Sequence, residues 1–141
     1  MIDVGAFSGD SAIYFAWRGA KKVYAFEPIP AAYEMAVDNI RLNGITNIEI
    51  FNEAIDYAEG ELVLDKNQSA DRSFSMLKQP KVEADGKRIH VRSFESMISG
   101  LRLDNAVLKM DCEGCEYEVL LNVENSSASI RSDNSRISSW C

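Results

Sequence analysis

Asp3-Val-Gly5-Ala-Phe-Ser-Gly9-Asp-Ser11 is the stretch on which the reading of this chain turns. Met1-Ile-Asp-Val-Gly5 reads as a strand running straight into a turn. Ser11 to Arg18 is mostly apolar and aromatic, as a packed helix would be, with Gly19 placed as its stop. An acid ends the strand, two glycines follow and a helix begins at once. Glycine lets the backbone turn tightly and approach a ligand closely. The N–H groups at a helix start favour a carboxylate or phosphate. A dinucleotide fingerprint needs a glycine at position 7, where Phe7 stands, and no Gly-Lys-Ser/Thr of a phosphate loop is present. The acid ahead of the glycines suits a cationic or amino-bearing group better than a pyrophosphate. Taken alone, the loop reads more readily as an ordinary strand-to-helix turn.

The next element changes that balance. Val23-Tyr-Ala-Phe26 is a short buried strand ending at Glu27-Pro28, and Glu27 follows Asp3 by 24 residues. An acid at that place accepts both hydroxyls of a ribose, and open α/β sheets bind ligands at the carboxyl ends of neighbouring strands. Pro30 can open a helix without losing a hydrogen bond. Tyr33, Ala36, Val37 and Ile40 repeat at helical spacing until Asn43-Gly44. Ile48 to Phe51 is a third strand. Strand, helix, strand, helix, strand is the α/β order with a parallel sheet.

Farther along the pattern is less regular. Leu62-Val-Leu64 and Ile89-His-Val91 read as short strands of an antiparallel insertion beside the parallel sheet. Ser93 can cap a helix through Ile98, which Gly100 ends. Ala106 to Met110 is a strong strand ending at Asp111, and Tyr117 to Leu121 starts another helix. From Asn125 to Cys141 there are seven serines among 17 residues and no periodicity, so the tail reads as linker or disordered sequence. The division expected is therefore a core over 1–124 and a Ser-rich tail over 125–141. No strand is expected after the helix that begins at Tyr117.

Composition bounds the answer. The chain has 141 residues, 46% of them hydrophobic and 26% charged, enough for one domain with a real core and unlike a disordered or fibrous chain. Its net charge of -7 argues against a generally basic nucleic-acid binder. No apolar run reaches the roughly 18 residues of a membrane span, and no leader is seen. Cysteines at 112, 115 and 141 are too few and odd in number for a secreted disulfide framework, which suggests a reducing, cytoplasmic setting.

Four blocks together carry a family resemblance: Asp3-Val-Gly-Ala-Phe-Ser-Gly9-Asp-Ser, Tyr24-Ala-Phe-Glu27-Pro28, Asn52-Glu-Ala54-Ile, and Leu108-Lys-Met-Asp111-Cys-Glu113-Gly114-Cys-Glu116. In this order the chain resembles the FkbM-type family of S-adenosylmethionine-dependent methyltransferases. The resemblance implies a Rossmann-like three-layer α/β/α methyltransferase fold, here incomplete on its C-terminal side and carrying the small antiparallel insertion. It implies S-adenosylmethionine as cofactor and a hydroxyl-bearing small metabolite or sugar as methyl acceptor. By the same resemblance Asp3, Gly5, Ala6, Gly9, Asp10 and Ser11 form the loop at the methionine part, while Glu27 and Pro28 lie at the ribose. Asn52, Glu53 and Ala54 border the adenine, and Asp111 faces the transfer site.

At the fourth block, Asp111 and Glu113 are the candidate catalytic acids. Either can remove a hydroxyl proton during an in-line methyl transfer, whose main demand is positioning. The plainer reading makes Asp111 a cap and leaves Glu113 and Glu116 solvated. No metal is expected. Cys112-x-x-Cys115 lacks the further ligands of a zinc site and reads as a pair of incidental thiols. His90 reads as a surface strand histidine, and Asp71 to Ser75 as a plain loop. The expected partners are a small hydroxyl acceptor, no nucleic acid and no membrane, with self-association through an uncovered sheet edge. Two other functions stay open: a catalytically inactive cofactor-binding remnant or assembly module, and a nicotinamide-dependent oxidoreductase, which the residue at position 7 argues against.

Overall fold

The computed structural model describes residues 1–64, 87–101, 103, 105–112, 114–126 and 138–139. The first strand, β1 (Ile2–Val4), is buried along its whole length. It runs through the glycine loop into α1 (Asp10–Trp17), then β2 (Val23–Phe26), α2 (Pro30–Leu42) and β3 (Ile48–Phe51). Pro30 stands in the first turn of α2, and Gly44 takes the positive φ of 65° that follows a helix end. After β4 (Ala54–Asp56), β5 (Gly60–Leu64) and β6 (Lys87–Ser93) comes α3 (Phe94–Gly100). The hydroxyl of Ser93 accepts from the Ser96 N–H at 3.1 Å, the cap expected for α3. Last come β7 (Val107–Met110), α4 (Cys115–Ser126) and β8 (Ser138–Ser139).

Five strands make the main sheet in the order β3-β2-β1-β7-β8, every pair parallel. The chain moves outward from β1 to β3 and then returns to the other side of β1. That reversal makes the carboxyl end of β1 a topological switch point, the place where open α/β sheets bind ligands. Right-handed crossovers put α1 and α2 on one face of the sheet and α3 and α4 on the other. Pleating sorts the side chains accordingly. Ile2, Val4, Phe26 and Leu108 join Ile55, Phe94, Met97, Cys115 and Val119 in one core layer. Ala6, Ala12, Val23 and Ala25 form a second, smaller layer, with Ile48 and Ile50 packed against it.

Three expectations are corrected. The insertion is a mixed sheet, β4-β6-β5: β5 runs antiparallel to β6, but β4, unrecognised in the sequence, pairs parallel to β6. Ala54-Ile55-Asp56 follows β3 after only two residues and is too short a run to show the alternation of a strand. Helix α4 starts at Cys115 rather than Tyr117, because Gly114, with φ 124°, turns the chain directly into it. A strand does follow that helix: Ser138 and Ser139 pair with Val107 and Leu108. Serine has weak strand preference, so backbone pairing rather than composition defines β8. Asp71 to Ser75, Glu113, Cys141 and most of the tail lie outside the described residues.

Candidate functional site

Strands β1, β2, β3 and β7 end side by side, and the residues following them build the site. The loop after β1 is held by paired backbone bonds. Gly5 and Ala6 N–H both donate to the Phe26 carbonyl at 3.0 Å, and Gly9 N–H donates to the Ala6 carbonyl at 2.7 Å. Gly5 and Gly9 both take φ 80°. A Cβ on Gly5 would run into the backbone carbonyl of Asp111, and one on Gly9 would meet Ala36 Cβ at 3.1 Å. The glycines therefore let β7 and α2 close on the loop. Helix α1 opens on Gly9 with no side-chain cap, so its first-turn N–H groups are available in the sense that suits an anion.

Glu27 ends β2 and is 4% exposed. Its two carboxylate oxygens divide two tasks: Oε2 accepts the Phe7 N–H and Oε1 the Ile29 N–H, each at 2.8 Å. One side chain thus ties the glycine loop to the entry of α2. Phe7 takes φ 47° and is 46% exposed, a conformation uncommon for a bulky residue and held here by that bond. Burial pushes the Glu27 carboxyl above its ordinary pKa; the two N–H donors oppose the shift, and the charge of Asp3 adds to it. Each oxygen keeps a second lone pair.

Asp3 is fully buried yet fully engaged. Its Oδ2 accepts from the Ser11 hydroxyl and its Oδ1 lies 2.9 Å from Lys109 Nζ. The same ammonium donates to the Gly5 carbonyl at 3.1 Å. Asp10 is exposed at the start of α1, and Pro28 is half-buried.

At the end of β3, Asn52 donates to the carbonyls of Glu27 and Pro28 at 2.9 and 3.0 Å. Nη2 of the Arg92 guanidinium donates to Glu53 Oε1 at 3.0 Å and lies 2.9 Å from Oε2, which among the described residues accepts no hydrogen bond. That guanidinium also lies 5.4 Å from the centre of the Phe51 ring, which is stacked on Phe26. His90 Nδ1 sits 3.6 Å from Glu53 Oε1 and its Nε2 3.5 Å from Glu59. Ala54 is buried in β4.

Beyond β7, the Asp111 N–H donates to the Val4 carbonyl at 2.9 Å and the residue is exposed. Cys112 and Cys115, expected as separate thiols, are joined in a disulfide with Cα atoms 5.5 Å apart. The turn into α4 doubles back within three residues and so brings their Cβ atoms within bonding reach. Glu116 reaches back over that turn, accepting the Cys112 N–H at 2.8 Å and the Gly114 N–H at 2.7 Å.

The structure therefore gathers Asp3, Gly5, Ala6, Gly9, Asp10, Ser11, Glu27, Pro28, Asn52 and Asp111 at one sheet edge. Glu53 and Ala54 stand where β3 hands over to the insertion. Lys109 and Arg92 were assigned no role from sequence. The available signal for Lys109 was a cation inside an otherwise apolar strand; for Arg92 there was none, since the alternation of β6 puts it on the outward face with Arg88 and His90.

Comparison with known proteins agrees with the fold. The model of the family described as the methyltransferase FkbM domain matches residues 3–138. An uncharacterized protein of Methanocaldococcus jannaschii, MJ1452, is 48% identical over 50 residues, which are 36% of this chain and 19% of that protein. The crystal structure of methyltransferase FkbM from Methylobacillus flagellatus KT superposes with a TM-score of 0.58 at 18% identity, covering 99% of this chain and 32% of that one. The chain thus spans less than a third of the length of either.

Proposed function

The chain belongs to the methyltransferase FkbM domain family, and from that membership we propose that it binds S-adenosylmethionine across the carboxyl ends of β1, β2 and β3. The observation that carries this reading is Glu27: a buried carboxylate at the end of β2, fixed by two N–H donors and left with lone pairs for two hydroxyls. The uncapped start of α1 suits the carboxylate of the methionine part. Both ends of the cofactor thus find groups of the right chemistry.

In this reading Gly5, Ala6, Gly9 and Asp10 line the methionine end, with Asp3 and Ser11 supporting the loop from beneath. Glu27 and Pro28 hold the ribose, and Asn52, Glu53 and Ala54 border the base. The cofactor, when bound, supplies a methyl group on a sulfonium. The acceptor is a hydroxyl-bearing small metabolite or sugar, and Asp111, exposed just past the end of β7, takes the hydroxyl proton.

Calorimetric titration of the 141-residue chain with S-adenosylhomocysteine tests the reading. Glu27→Gln, shown folded by circular dichroism, should bind at least about tenfold more weakly, since a hydrogen bond to a charged acceptor contributes about 1.5–3 kcal/mol. Equal binding by both proteins would overturn the ribose assignment, and a folded chain that takes up no ligand would overturn the cofactor assignment. Binding without turnover over a hydroxyl-acceptor panel would leave the site and remove the transferase role from this chain.

A further inference from the structure

The turn between β7 and α4 contains a bond that the methyltransferase reading does not use. We propose that Cys112–Cys115 is a reversible dithiol–disulfide site, exchanging with low-molecular-weight thiols, whose state sets the order of the turn that carries Asp111.

Three observations converge on that turn. The bond closes a ring of only four residues. A loop so short restrains the unfolded chain least, because the entropic effect grows with loop length. Its consequence is therefore local. The two cysteines also differ in burial: Cys112 is half-buried at the margin of the core layer, whereas Cys115 is 1% exposed and packs within it with Ile2, Val4 and Val119. Finally, the turn bears directly on the glycine loop. The Asp111 carbonyl occupies the space a Gly5 side chain would need, and the Asp111 N–H is bonded to Val4. Glu116 fixes the N–H groups of Cys112 and Gly114.

The chemistry balances with a simple thiol as co-reactant. A thiolate attacks Sγ of Cys112, the less buried cysteine; the Sγ–Sγ bond breaks, and Cys115 leaves as thiolate and takes a proton. A second thiolate attacks the outer sulfur of the mixed disulfide, releasing the oxidised thiol and Cys112 as thiolate, which is then protonated. Two thiols become one disulfide while the protein disulfide becomes two thiols. The reverse reaction closes the ring again.

The test needs no cofactor, so its failure is separate from failure of the methyltransferase reading. The folded 141-residue chain is equilibrated in buffers of reduced and oxidised glutathione, alkylated and mapped by mass spectrometry, which also separates Cys141. We expect Cys112 and Cys115 to open and close together, reaching the same ratio from either direction. In Cys115→Ser, glutathione should be trapped on Cys112; in Cys112→Ser, Cys115 should stay unmodified. Opening should speed amide exchange in Asp111–Cys115 and Gly5–Gly9 by at least about tenfold while β2 stays protected. A bond that resists excess thiol in the folded chain, cysteines that never close, trapping on Cys115, or unchanged exchange in both loops would each overturn the proposal.

Discussion

Lys109 stands directly across from Asp3 in the β1–β7 register, and its ammonium lies 2.9 Å from a carboxylate that is wholly buried. The pair faces the α1 side of the sheet, where Ser11 completes the carboxylate's shell. A buried charge is tolerable only with such partners. Lys109→Met should therefore destabilise the chain by about 3 kcal/mol, because it leaves Asp3 charged and unpaired in the interior. Urea denaturation measures this. Asp3→Asn combined with Lys109→Met should cost clearly less than the two single changes added together. Additive costs would mean the two residues act independently, contrary to the register found here.

A glycine series separates close approach from backbone strain. Gly5, Gly9 and Gly19 all have positive φ, but a Cβ on Gly19 would meet nothing within 4 Å. Gly19→Ala should cost about 1 kcal/mol, the strain of a left-handed residue alone. Gly5→Ala should cost substantially more, because β1 and β7 must part to admit the methyl group. Gly9→Ala should fall between, since Ala36 is a side-chain neighbour on a helix that can shift slightly. Thermal unfolding of the three variants gives the order directly. Equal losses would show that the Asp111 carbonyl yields freely.

Much of this architecture was legible because local signals agreed with the fold. Gly9, Pro30, Asn43-Gly44 and Ser93 mark helix ends by backbone chemistry that tertiary context did not override. The strands holding the site were short and mostly apolar, and an acid directly follows two of them, Glu27 after β2 and Asp111 after β7. The pairing of the insertion was not legible, since β4 is three residues long and its partner β6 begins 31 residues after β4 ends, at Lys87. Nor was β8, whose two serines carry no strand preference. In the site, Glu27 was readable from its place after β2. Its bonds to Phe7 and Ile29 were not, because they depend on how two loops meet. The Cys112–Cys115 bond depends likewise on the tightness of one turn.

Arg92 joins the insertion to the main sheet, pairing with Glu53 while lying over the Phe51 ring. Arg92→Met keeps the apolar stem but removes the donor to Glu53 Oε1, in a carboxylate whose Oε2 already accepts no hydrogen bond among the described residues, and should cost about 1–3 kcal/mol. Arg92→Lys keeps one cationic nitrogen for Glu53, which is all that Arg92 Nη2 supplies, but loses the planar guanidinium over Phe51, and should cost less than Arg92→Met. Because Glu53 adjoins the proposed base site, both variants should also weaken S-adenosylhomocysteine, Met more than Lys. Undiminished affinity alongside reduced stability would confine Arg92 to a structural role.

The shift at Glu27 gives the site a pH dependence of defined sign. Burial holds its folded-state pKa above the ordinary 4.5, so folding favours the protonated carboxyl. Its contribution to stability is complete below 4.5 and is lost as pH rises through the raised folded value. The stability of the wild type relative to Glu27→Gln should therefore fall over that window and level off above it. Ligand binding should run the other way. Ribose hydroxyls donate to the charged carboxylate, so S-adenosylhomocysteine should lower the Glu27 pKa, release protons on binding and bind more tightly as pH rises through the same window. Calorimetry in two buffers of different ionisation heat counts those protons. Glu27→Gln should abolish both the release and the pH slope of affinity. If the variant keeps the slope, another group titrates at the site and the hydroxyl contacts do not fall on Glu27.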